Sequence, residues 1–459
     1  MAQSKRYLPA DSREPVDEVL PSGRLALLGM QHVMVMYTGA IAVPLIIGMA
    51  LKLPKDQVTY LISVDLFVSG LVTLIQSVGF KNFGIRLPIM MGVTFTSVGP
   101  MIAIASNPAL GLPGIFGSMI CSGIFGLLAA PLMARLLRFF PPVVIGTEIL
   151  VVGLCLMGVS ASWVAGGIGN PDYGSPHLIG MSFLVLAFIL AVTKYFNGFV
   201  RNIAVLLGIV FGMGLTAFTG TIDFSAVHRA AWFGMVVPFH FGAPKFDLWS
   251  SVAMSIVMLV TFIEATGMFV AVGEMTGKPV GTKQMANGFR ADAAGTLLGA
   301  LFNIFPYTSY AENIGLVSIT GVRSRWVCAV GAVLLMVMGL VPKMSALVAS
   351  VPSCVLGGAG LIMFGMIAAC GVRILAQVDF TDNRFNAYIV AISVSVGLLP
   401  VVNPEFFNRF PQQFAPLLHS SILLAAVTAV LLNLFFNLLK GSKAEKPSFA
   451  SIESAQTNP

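Results

Sequence analysis

Three observations predict an all-α polytopic membrane protein. Of the 459 residues, 57% are hydrophobic and only 10% charged, and the mean hydropathy is +0.90, whereas a water-soluble globule carries about 25% charge. The strongly polar stretches lie at the ends, 1–24 and 441–459, and the roughly 416 residues between them hold about 14 crossings at about 30 residues for each span with its connection. The basic residues also alternate sides. If odd-numbered spans run outward, Lys52, Lys55, Arg229, Lys245, Lys343 and Arg409 fall outside, while 20 of the 26 lysines and arginines fall inside. That is the distribution of an even number of spans with both termini cytoplasmic.

Apolar runs read against their breakers place the spans, in order, near 26–50, 57–80, 87–106, 113–137, 142–160, 178–194, 201–219, 248–273, 291–305, 312–320, 326–341, 352–372, 386–400 and 416–439. The segment before them mixes Lys5, Arg6 and Arg13 with Asp11, Glu14, Asp17 and Glu18 and has no apolar core, so it reads as a cytoplasmic tail, not a signal peptide. Lys440, Lys443 and Lys446 close the last span as an anchor near anionic headgroups of the bilayer. Five cysteines, Cys121, Cys155, Cys328, Cys354 and Cys370, show no paired spacing. They read as packing residues, with no disulfide framework, metal site or cofactor expected. Basic residues scattered singly or in pairs argue against a nucleic-acid partner.

Two runs break the pattern. The third, around Thr94 to Pro100, and the tenth, from Asn303 through Pro306 to Thr320, are interrupted by Gly, Pro, Thr, Ser and Asn. Irregular backbone at membrane depth frees polar groups that must be buried in protein or face a cavity, so these breaks mark a site. They stand seven spans apart, the place of equivalent helices in two inverted repeats of seven whose short strands or half-helices meet near the midplane. Gly208 with Gly212 and Gly357 with Gly360 have the spacing of close helix packing.

Ionisable side chains inside spans are costly, and the candidates are His32, Asp65, Glu148, Glu264, Asp292 and Glu312. Glu264 lies mid-span with no basic residue within a turn, which makes it the expected proton carrier, against the plainer reading of a carboxyl hydrogen-bonded to a neighbouring helix. Glu312 follows the break Tyr307–Ala311 and opens a short helix, where free N–H groups favour an ionised carboxylate. It reads otherwise as an ordinary helix-start Glu. Asp65 and Glu148 match no motif and read as structural groups.

The run Glu312-Asn313-Ile314-Gly315-Leu316-Val317-Ser318-Ile319-Thr320-Gly321 matches every fixed position of the nucleobase-ascorbate transporter signature, Gln/Glu/Pro-Asn-x-Gly-x4-Thr-Arg/Lys/Gly. With Gln31-His32, the Thr94-Phe95 break, Phe262-Ile263-Glu264 and Asp292, the chain resembles the nucleobase:cation symporter-2 family over nearly its whole length, its bacterial uric acid and xanthine permeases above all. The resemblance implies 14 helices in two inverted sevens. It implies a core of 25–140 and 247–341, a gate domain of 141–246 and 342–440 against which the core shifts, and a homodimer formed through the gate. It also implies a substrate held by Glu264 and Glu312, near Phe95, Thr94, Ala311, Asn313 and Met268, with Asp292 and His32 assisting proton coupling. Two readings stay open here: His32 as a buried, satisfied histidine, and Asp292 as a local partner of Arg290.

The chemistry agrees, because a nucleobase is a flat ring edged with N–H donors and C=O acceptors that two carboxylates and backbone N–H groups match, with an aromatic face over the ring. Two positions bear on the substrate. Uric acid and xanthine permeases usually carry Gln where this chain has Glu312, a residue commoner in uracil-type relatives. Met268, one turn after Glu264, and Thr94 resemble the uric acid type. The expectation is proton-coupled uptake of a purine base, of the uric acid, xanthine or guanine class, across the inner (cytoplasmic) membrane. Sodium is the alternative ion and uracil the alternative base. An anion transporter of the same architecture would meet repulsion from Glu264 and Glu312. A membrane enzyme would need a catalytic pair or metal ligands that the sequence does not offer.

Overall fold

The computed structural model describes residues 14–136, 139–219, 222, 224–310, 313, 316–317 and 320–439. Helices of eight residues or more are numbered here in chain order. They are α1 (Ser22–Ala50), α2 (Lys55–Ser77), α3 (Val98–Ala105), α4 (Gly111–Met133), α5 (Pro142–Val164), α6 (Pro176–Tyr195) and α7 (Ala204–Phe218), then α8 (Leu248–Thr276), α9 (Thr282–Phe302), α10 (Arg325–Gly339), α11 (Pro342–Ala349), α12 (Ser353–Leu375), α13 (Phe385–Val402) and α14 (Ser421–Asn433). Two strands, β1 (Met91–Val93) and β2 (Tyr307–Ser309), complete the frame.

Among the described residues, nine helices are apolar and long enough to cross a membrane, the last being α14 continued by the π-helical turn Leu434–Leu438. A tenth span results if α10 and α11, bent by 82°, are taken as one. The chain is therefore a mostly helical, multi-pass membrane protein. The difference from fourteen clean spans has local causes. The α3 and α7 segments are apolar but short. The α9 helix begins at Thr282 rather than 291, because Thr282–Arg290 continues as helix despite carrying Lys283, Gln284, Asn287 and Arg290, which dilute its apolar character. The tenth run lies largely outside the described residues.

Helix ends follow from capping. Asp247 Oδ2 accepts the Ser250 N–H at 2.8 Å to start α8, and Gly277, at φ +72°, ends it in the left-handed region, which a glycine enters without a Cβ clash. Ser175 followed by Pro176 starts α6 in the same way.

Packing gathers the helices into two groups. In one, α4 lies on α8 and α9, α2 on α9 and α10, and α1 on α10. In the other, α5 lies on α12, α13 and α14, and α6 on α7 and α12. The α5–α12 contact is made backbone to backbone. A Cβ on Gly153, Gly357 or Gly371 would overlap the main chain of Ala368, Val164 or Leu150 respectively, so small residues set that spacing. Gly208 and Gly212 seat Ile189, Val185 and Val355, which is close packing as well.

Residues 14–18 form a strap beneath the first group. Val16 is fully buried. Arg325 Nε meets Asp17 Oδ1 at 2.6 Å, while its Nη1 donates to the carbonyls of Ser77 and Val78 at 3.3 and 2.6 Å. Ser324 Oγ donates to the Glu18 carbonyl at 2.6 Å, and Lys278 Nζ stands 2.8 Å from Glu14 Oε2.

Candidate functional site

The two broken runs meet. β1 and β2 pair antiparallel with Met91 opposite Ser309, Gly92 opposite Thr308 and Val93 opposite Tyr307. The ladder extends at both ends, the Thr94 N–H donating to the Pro306 carbonyl at 2.8 Å and the Tyr310 N–H to the Met90 carbonyl at 3.0 Å. Each broken segment thus satisfies the other's backbone inside the protein, as irregular chain at membrane depth requires. The crossing needs Gly92, because a Cβ there would overlap the Tyr310 ring. That ring is held by its hydroxyl, which donates to the Val93 carbonyl at 3.1 Å.

Buried polar side chains anchor the ribbon to α2. Tyr307 Oη and Ser69 Oγ donate to Asp65 Oδ1 at 3.0 and 3.2 Å, and Thr73 Oγ1 accepts the Met91 N–H at 2.9 Å. Asp65 is therefore a tether between helix and strand.

Beside the ribbon lies a cavity of about 190 Å³ walled by Phe95, Glu264, Met268, Ser309 and Tyr310 on one side and by Ile149, Val152, Ile367, Cys370 and Arg373 on the other. It is smaller than the about 300–1,000 Å³ of drug-sized ligand sites, which suits a small flat molecule. Thr94 caps a single 3-10 turn, Phe95–Ser97, by accepting the Thr96 N–H at 3.2 Å. That turn presents the Phe95 ring to the cavity, edge-on to Phe364 with centroids 5.7 Å apart and planes at 79°. Glu264 is half-buried, and Thr96 Oγ1 donates to its Oε2 at 3.5 Å. Met268 follows it by one turn on the same α8 face.

Of the other described candidates, His32, Asp292 and Asn313 are not part of the cavity wall. Asn313 Nδ2 donates to the His32 carbonyl at 3.0 Å and lies 3.1 Å from His32 Nδ1, while Cys328 Sγ is 4.0 Å from the same ring nitrogen. Asp292 Oδ1 accepts from Gln76 Nε2 at 3.0 Å. Arg290 instead donates to Asn287 Oδ1 at 2.9 Å, so the partner of Asp292 is Gln76 and not its neighbour in sequence. Ala311 and Glu312, with the segments 1–13 and 440–459, lie outside the described residues.

A family model described as Permease family (Xan_ur_permease) matches residues 23–406. The chain belongs to this permease family, the nucleobase:cation symporter-2 family. The permease is 51% identical to the uric acid transporter UacT of Escherichia coli (strain K12) over 92% of its own length and 88% of that protein's. It is 41% identical to the xanthine permease of Bacillus subtilis (strain 168) over 92% and 96% of the two chains. In fold it is similar to the transmembrane domain of a cyanobacterial bicarbonate transporter, BicA, with a TM-score of 0.62 at 16% identity, covering 89% of this chain and 97% of that one. The protein is a transporter and not an enzyme, which removes the membrane-enzyme alternative.

Sequence reasoning passed over Thr96 and Gln76 of this permease and set Glu148 aside as a structural group. Thr96 is an unremarkable hydroxyl in the third run until its contact with Glu264 is seen. Gln76 donates to the Gly288 carbonyl and to Asp292 and accepts the Ile85 N–H, a junction that only tertiary packing creates. Glu148 was visible as a carboxyl inside a span but belongs to no motif. Its burial cost was the signal available.

Proposed function

We propose that this permease takes up a purine base of the uric acid, xanthine or guanine class together with protons, across the cytoplasmic membrane. The observation that carries the reading is the cavity at the strand crossing, where a half-buried carboxyl, Glu264, stands with an aromatic ring, Phe95, against the β1–β2 ribbon. A carboxylate accepts the ring N–H groups of an oxopurine, and an aromatic face covers its π-surface. The relatives named for uric acid and xanthine support the same class. Met268 on the cavity wall supports a role for that position in choosing the base. The Glu264 carboxyl there disfavours an inorganic anion as cargo, whatever the architecture shares with bicarbonate carriers.

In this reading the chain forms 14 spans in two inverted sevens. The groups built on α1–α4 with α8–α10 and on α5–α7 with α12–α14 act as core and gate, the core shifts against the gate, and two copies associate through the gate. The antiparallel pairing of β1 with β2 and the separate packing of the two helix groups support it. Glu312, three residues beyond β2, supplies the second acceptor, and His32, Asn313 and Asp292 hold the site from behind. Both termini are cytoplasmic, in keeping with the charge asymmetry. Coupling arises because base and proton both favour one arrangement over the other.

The test is uptake of labelled xanthine by cells lacking their own base permeases, with unlabelled uric acid, guanine, uracil or sulfate in excess, with and without a protonophore. Purine competition, protonophore sensitivity and loss in Glu264→Gln are expected. Competition by uracil or sulfate alone, or uptake indifferent to the protonophore, overturns the reading.

A further inference from the structure

Glu148 has no exposed surface, and neither of its carboxyl oxygens meets a hydrogen-bond donor within bonding geometry among the described residues. It is nonetheless next to the cavity. Ile149, the following residue, and Val152, one turn on, form part of the cavity wall. Ile145, on the same face of α5, lies 3.3 Å from where a Cβ on Gly267 of α8 would stand. That face of α5 looks across the boundary between the two helix groups, and the carboxyl it meets electrostatically is Glu264. The Thr96 hydroxyl, which donates to Glu264, also bears on Glu148.

The elements packed on α5 bring few other charges. α8 contributes Glu264 at this level and Glu274 near its far end. α12 contributes Cys354, with Cys370 and the exposed Arg373 on the cavity wall. α6 contributes His177, Lys194 and Tyr195 at its ends and α13 only the exposed Tyr388, and Ser421–Asn433 of α14 contains no ionisable side chain. Asp292, on α9, also interacts electrostatically with Glu264. Among the described residues Glu148 makes no ion pair. Where two carboxyls come close together out of water, ionising both is costly and one proton can serve the pair.

We propose that Glu148 and Glu264 hold one proton between them across the α5–α8 boundary, making Glu148 a second carboxyl of the coupling machinery. This deepens the proton-coupled reading above and rests on it. The proton arrives from water on the outer side and bridges one carboxyl to the other carboxylate. When its O–H bond breaks and it leaves to water on the inner side, two like charges face each other and the helix groups separate. The arrangement described here therefore forms with the proton aboard, and the pair acts only while α8 stands opposite α5.

The full-length protein in liposomes tests this with labelled uric acid, read in two ways: accumulation driven by an inward proton gradient of about one pH unit, and exchange of internal for external uric acid at equal pH. Glu148→Gln is expected to keep exchange within about threefold of the parent, to lose accumulation by about tenfold, and to flatten the pH dependence of exchange. Glu148→Asp is expected to restore accumulation and a pH-dependent exchange, with the pH profile shifted from the parent's. Parent-like accumulation and pH profile in Glu148→Gln overturn the proposal. So does parallel loss of both activities with an unchanged pH profile, which marks a packing role. If Glu148→Gln does not fold, Glu148→Asp decides, since a shortened carboxyl must shift the pH profile and an unshifted one refutes the pair. Failure of the parent to exchange uric acid counts against the proposed function and not against the pair.

Discussion

Gly92→Ala tests the strand crossing through a change of sign. An alanine in place of an unhindered glycine stabilises a protein by about 0.4–1 kcal/mol, through the entropy of the unfolded chain. At Gly92 the added methyl would overlap the Tyr310 ring and lie 2.8 Å from its hydroxyl oxygen. Tyr310 is 3% exposed and its hydroxyl pins the ring, which can yield only by leaving the Val93 carbonyl and entering the cavity that it lines. Displacing it breaks its hydrogen bond to the Val93 carbonyl, worth about 1 kcal/mol, and overpacks the crossing at about 1–3 kcal/mol. The net expectation is destabilisation by about 1–3.5 kcal/mol. In a Tyr310→Ala background the obstacle is gone, and the same substitution becomes neutral or stabilising. Thermal unfolding of the purified full chain, run as a four-member double-mutant cycle, reads the difference. Equal midpoint shifts for Gly92→Ala in the two backgrounds would refute the steric argument.

Two further outcomes are expected. Tyr307→Phe removes a donor from buried Asp65 and leaves Ser69 alone on the same oxygen, which should cost about 1–3 kcal/mol of stability. An unchanged thermal midpoint would show that the carboxyl finds another donor at no cost. Cys370 lines the cavity, so saturating uric acid should slow its alkylation by a maleimide by about tenfold while leaving Cys121, on α4 and not part of the cavity wall, unaffected. Mass spectrometry of labelled peptides reads this, and equal protection or none at both thiols counts against occupancy of this cavity.

Much of the site was legible because membrane burial makes polarity expensive. Glu264 stood out by that cost alone, and the Thr94–Pro100 and Asn303–Pro306 breaks stood out because nothing else needs irregular backbone in an apolar run. What those breaks do for each other was not legible. The pairing of Gly92 with Thr308 joins residues more than two hundred apart, and no local pattern specifies such a register. The contact of His32 with Asn313 and that of Gln76 with Asp292 are of the same kind. The start of α9 was misplaced for another reason. Lys283 and Arg290 lower the hydropathy of Thr282–Arg290 without disfavouring helix, so the end of an apolar run is not the end of a helix. Glu148 is the reverse case, a fully buried carboxyl that belongs to no motif.

The strap of residues 14–18 has a practical consequence for following this protein at work. Its ties through Asp17, Glu18 and Glu14 go to Arg325, Ser324 and Lys278, all on or beside α8 and α10, so a fluorophore on the strap travels with the helices that carry Glu264. The end of α14 belongs to the packing around α5, so a second fluorophore there rides on the opposite group. A donor and acceptor at these two places form a ruler between the groups. Energy transfer on adding base, with and without a proton gradient, would then report whether the two groups move against each other, readable in single molecules with no mutation inside the cavity.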